Sequence, residues 1–144
     1  MAKFKYKFES IKKVKKIFEK KAQKELMEVE AEILKVKQKI IDTNLVRNKS
    51  KKDFLAKAHY TVSEMKFQEN YEKYLDEQVE NFKLELNELF KLKEEKLKEL
   101  AEKSKEHKIF DKLKEKNYQD FMLEENKKEQ KEIDEIASIR YNKK

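Results

Sequence analysis

The 144-residue chain contains no glycine, proline, cysteine or tryptophan, 47% of it is Asp, Glu, Lys or Arg, and its formal net charge is +7. Without glycine or proline it can make few tight turns, cannot cradle a phosphate in a glycine-rich loop, and has no thiolates for a structural zinc site. A mean hydropathy of -1.10, with no long apolar run, also excludes a transmembrane helix.

The opening MAKFKYKFESIKKVKK carries Lys where a signal peptide would be apolar, so a cytoplasmic protein is expected. Phe4, Phe8, Ile11, Val14 and Phe18 read as one apolar face at the start of a first helix over about 4–57. Ala22, Leu26, Val29, Ile33, Val36 and Ile40 then follow the 4-3-4-3-4 spacing of a coiled-coil seam. The four-residue steps Phe18 to Ala22 to Leu26 predict a stutter there, with local unwinding.

Two stretches offer a reversal: the polar run Asp42 to Asp53, and Ala58 to Glu64. The second contains Thr61 and Glu64 in the S/T-x-x-E capping-box pattern, so the turn is placed at about 57–61. A second helix over about 62–140 carries the seam Leu75, Val79, Phe82, Leu86, Phe90, Leu97 and Leu100, with a phase slip at Leu86. The expected fold is all-α: residues 1–144 as a single long antiparallel two-helix coiled-coil hairpin. That register sets residue 4 beside residue 115, so the C-terminal helix overshoots and leaves Ile133, Ile136 and Tyr141 without an intramolecular partner.

No catalytic set emerges. His59 and His107 are far apart in sequence, serines are few, and rod-like helices offer no pocket. A non-enzyme without cofactor or metal is expected. Charge is more informative: residues 1–24 hold ten Lys and two Glu, so the whole positive excess sits at the N-terminus. Lys12, Lys16, Lys20 and Lys24 repeat at i,i+4, as a solvated face or as a surface for an acidic partner. With Lys rather than Arg and Asn dominating, no nucleic-acid partner is expected. Beyond the turn, Phe67, Tyr71, Tyr74, Leu75, Val79 and Phe82 crowd aromatic surface. Tyr71, Leu75, Gln78 and Phe82 share one helical stripe, readable as ordinary seam or as an exposed docking face.

The opening Phe4-Lys-Tyr-Lys-Phe-Glu-Ser-Ile-Lys-Lys-Val and the closing Glu129-Gln-Lys-Glu-Ile-Asp-Glu-Ile-Ala-Ser-Ile-Arg-Tyr141 resemble the two ends of the FliJ family of flagellar type III export proteins. The resemblance implies a coiled coil similar to a rotary-ATPase stalk, with both termini in the hexameric export ATPase ring. It would also dock on the cytoplasmic domain of the export gate and deal with export chaperones. Carried over, the ring-binding residues are Ile11, Lys12, Lys15, Phe18, Ile133, Ile136, Arg140 and Tyr141. The gate-binding residues are Tyr71, Leu75, Gln78 and Phe82, with Gln78 polar where a small apolar side chain is expected. Such a protein would be cytoplasmic and held at the inner-membrane flagellar basal body through its partners. The stalk of a virulence secretion system is the within-class alternative. A hairpin chaperone for unfolded export clients, and a Lys-rich helix binding membrane or nucleic acid, are the alternatives from other classes.

Overall fold

The computed structural model describes residues 2–143, and these form two helices, α1 (Glu9–Leu55, 47 residues) and α2 (Val62–Asn142, 81 residues). The chain is an all-α helical hairpin, and no strand occurs among the described residues. Its contacts group into two compact units: Met1–Lys21 with Ala101–Lys144 (unit 1), and Ala22–Leu100 (unit 2).

Unit 2 contains the reversal. Residues 56–61 connect the helices, and Thr61 caps α2 as its sequence pattern predicts. The Glu64 backbone N–H donates to Thr61 Oγ1 at 3.1 Å, and the Thr61 N–H donates to Glu64 Oε2 at 3.3 Å. The pair satisfies two N–H groups that a bare helix start would leave open. Ala22, Leu26, Val29, Ile33 and Val36 of α1 are buried, with Leu75 and Val79 of α2. Ile40, Thr43, Arg47, Ser50 and Phe54 continue the same 3-4 spacing toward the turn as half-buried positions.

On α2 the phase slip expected at Leu86 is absent. The inward positions run Leu75, Val79, Phe82, Leu86, Leu89, Lys93, Lys96 and Leu100 without interruption, while Phe90 and Leu97 are exposed. Two lysines take the positions assigned to apolar residues because each has an acidic partner on α1: Lys96 Nζ lies 3.2 Å from Glu25 Oε2, and Lys93 Nζ 3.9 Å from Glu30 Oε1. Their hydrocarbon stems cover the seam while the charged heads reach its rim.

Unit 1 differs from its sequence reading at the N-terminus. Residues 4–8 are not helical, and α1 begins at Glu9. In that segment Phe4, Tyr6 and Phe8 are buried or half-buried while Lys3, Lys5 and Lys7 are exposed, the two-residue alternation of an extended chain. The stutter at Phe18 is also absent. Lys12, Lys15 and Glu19 are the half-buried positions, in step with Ala22 and Leu26, whereas Ile11, Val14 and Phe18 face outward. One residue of phase rotates a side chain by about 100° around a helix, enough to exchange the two faces.

Candidate functional site

Unit 1 is held by an aromatic strap and a charged seam. Phe4 packs against Tyr118 (ring centroids 5.3 Å apart, edge-on) and Phe121 (5.5 Å), and Phe8 against Phe110 (6.3 Å). Tyr6 is buried, and its hydroxyl donates to the Phe110 carbonyl at 3.0 Å. Burial pushes the Tyr6 phenol up from its ordinary value. These contacts put Phe4 beside residues 118–121 rather than 115, so α2 still runs well past the strap but by fewer residues than expected.

Behind the strap, opposite charges alternate across the helix pair. Lys114 Nζ lies 3.0 Å from Glu9 Oε2, Lys12 Nζ 3.1 Å from Asp111 Oδ1, and Lys15 Nζ 3.2 Å from Glu106 Oε2. His107 sits between, with Nδ1 2.9 Å from Glu19 Oε2 and Nε2 3.5 Å from Asp111 Oδ2. The Lys114 hydrogen bond holds the Glu9 carboxyl below its usual range, and the hydrogen bond to Asp111 holds the Lys12 ammonium above its usual one. Such a row fixes the register between two helices through like-charge penalties for every misalignment.

The candidate residues at the two ends therefore fall into distinct environments. Ile11 and Phe18 are outward and accessible, the latter with Lys103 Nζ 5.7 Å from its ring centre. Lys12 and Lys15 are engaged in the seam. On α2 every residue from 126 to 142 is exposed. Ile133, Ile136 and Arg140 are therefore open to a partner, and Tyr141 is 80% exposed.

In unit 2, Leu75 is buried, and Tyr71, Gln78 and Phe82 are half-buried. Of the two readings of this stripe, ordinary seam holds for Leu75, whose heptad position faces α1. The accessible aromatics there are Phe67, stacked on Tyr71 with ring centres 6.5 Å apart, and Tyr74. Pockets here are shallow, as in the cleft of about 400 Å³ lined by Val46, Phe54, Gln68 and Tyr71. The strap lies where apolar spacing predicts helix, although its Lys–aromatic alternation is the signal of an extended segment.

Among the described residues there is no cluster of three or more His, Cys, Asp or Glu side chains able to hold a metal, and no helix long and apolar enough to cross a membrane. The hairpin defines a coiled-coil protein that leaves apolar side chains accessible along its helix faces. The chain belongs to the FliJ family, whose model, described as "Flagellar FliJ protein", matches residues 4–144. No curated protein and no solved structure matches it significantly.

Proposed function

We propose that the chain is a non-enzymatic coupling component of flagellar type III protein export, joining the export ATPase to the export gate. The observation that carries this reading, beside family membership, is the exposed C-terminal stretch of α2. A surface-exposed row with Ile133, Ile136 and Tyr141 beside Arg140 suits insertion into a ring of subunits. Ile11 and Phe18 offer a second apolar contact on α1 of the same unit. Lys12 and Lys15 then act by holding α1 in register, not by touching the ring.

The nucleotide chemistry belongs to the partner ATPase. Gate docking falls to the exposed edges of Tyr71, Gln78 and Phe82, with Leu75 positioning them from the seam. Export chaperones are a further class of partner, and the protein works in the cytoplasm, held at the inner-membrane basal body by these contacts. Deleting residues 130–144 is expected to abolish stimulation of the cognate export ATPase while circular dichroism still reports a helical chain. Unchanged stimulation by the truncated protein would remove the ring-binding assignment.

A further inference from the structure

Within unit 2, α1 carries a second heptad face that the hairpin leaves uncovered. Met27, Ala31, Leu34, Gln38, Ile41 and Leu45 follow a 4-3-4-3-4 spacing, and all six are exposed, Met27 at 67% and Leu34 at 66%. This face lies about 140° around the helix from the buried one formed by Leu26, Val29, Ile33 and Val36. A single exposed Leu carries no information, but a sustained heptad row of them is a seam in want of a second helix.

The flanking charges say which helix. With Ala31, Gln38 and Leu45 at a positions and Met27, Leu34 and Ile41 at d, the g positions are Glu30, Lys37 and Asn44, and the e positions Glu28, Lys35 and Asp42. In a parallel, in-register pair of identical helices, each g residue faces the e residue five places further on. Glu30 then meets Lys35 and Lys37 meets Asp42, both attractive. The antiparallel alternative sets Lys35 against Lys35, Lys37 against Lys37 and Glu28 against Asp42, all repulsive. Gln38, polar at a single a position, would face its own copy and pin the register at some cost in affinity.

The present partners of these groups are exposed, except for the half-buried Lys93, whose contact with Glu30 is a long one. Lys35 pairs with Glu32 at 3.3 Å, Glu30 with Lys93 at 3.9 Å, and Asp42 accepts from Gln38 at 2.9 Å. Lys37 Nζ lies 5.6 Å from the Phe90 ring centre. We infer that residues 27–45 of α1 form a weak parallel dimerisation seam with a second copy of this chain, independently of the flagellar reading.

The chain has no cysteine, so introduced ones report on it without background. The full-length protein is expected to show a concentration-dependent monomer–dimer equilibrium by analytical ultracentrifugation. Leu34→Lys with Ile41→Lys should weaken the dimer about tenfold or more at unchanged helicity, since both side chains are exposed. Under mild oxidation Gln38→Cys should cross-link to itself far faster than Glu32→Cys on the opposite side of α1. Lys37→Glu should weaken association, and adding Asp42→Lys should restore it. A protein that stays monomeric up to the millimolar range would overturn the inference and leave the face to a different helix. So would a dimer that survives the double lysine variant. Equal cross-linking at 38 and 32, or failure of the charge-swap rescue, would overturn the parallel register.

Discussion

In unit 2 the inward positions of α1 are Ala22, Leu26, Val29, Ile33 and Val36, all buried, whereas in unit 1 they are Lys12, Lys15 and Glu19, each beside a charged or imidazole side chain of α2. The spacing is the same and the chemistry is not. Aliphatic burial supplies non-directional stabilisation in proportion to area, so it holds unit 2 firmly. Partly exposed ion pairs contribute about 0–1 kcal/mol each and specify alignment more than strength. Unit 1 therefore depends on its aromatic strap for cohesion, and it is the unit that carries the accessible ends Ile11, Phe18, Ile136 and Tyr141. Regions that engage partners are commonly drawn from the less stable part of a fold.

The largest test of this contrast is in the aliphatic seam. Ile33→Ala removes most of a side chain that is 5% exposed and should cost about 2–4 kcal/mol in chemical denaturation followed by circular dichroism. Truncating Ile17 to Ala, a side chain on the outer face of α1 and 62% exposed, should cost little. Equal losses at the two positions would mean that the aliphatic row is not what holds unit 2.

Next comes the strap. Phe4→Ala deletes contacts to Tyr118 and Phe121, and because Phe4 is half-buried the expected cost is about 1–3 kcal/mol. Hydrogen exchange should show lost protection around residues 9–16 and 110–120, with residues 26–40 unchanged. Uniform loss along both helices would show that the strap does not act on unit 1 selectively.

Much of this was legible in the sequence. The absence of glycine and proline limits the chain to long helices, Thr61 and Glu64 mark the start of α2, and the row Leu26 to Val36 identifies the core of unit 2. What escaped has a common cause. Ranking positions by apolarity assigned Phe90 and Leu97 to the seam, yet Lys93 and Lys96 occupy it because Glu30 and Glu25 stand across from them. Likewise apolarity points to Ile11, Val14 and Phe18, whereas Lys12, Lys15 and Glu19 face α2 because their complements lie about 90 residues away at Asp111, Glu106 and His107. A hydropathy pattern along one helix cannot see a charge on the other. The strap was different, since its period of two was local and visible, and the helical context on its C-terminal side masked it.

The smallest expected effect is pH sensitivity, and only its acid arm distinguishes the units. A carboxyl lowered in the fold contributes stability above its unfolded value and loses it as pH falls through the folded one. Glu9, held down by Lys114, is such a group in unit 1. Groups raised in the fold behave oppositely, contributing fully below the unfolded value and losing that contribution as pH rises through the folded one. Lys12 and Tyr6 of unit 1 and Lys96 of unit 2 are all raised, by Asp111, burial and Glu25 respectively, so alkali weakens both units. Acid is thus the discriminating direction. Lowering the pH below about 4 should reduce amide protection in residues 9–16 before residues 26–40. Glu9→Gln should remove that early loss while leaving the alkaline arm in place. An acid profile that is identical in Glu9→Gln and the unaltered chain would show that the Glu9–Lys114 pair contributes nothing to the hold of α1 on α2 in unit 1.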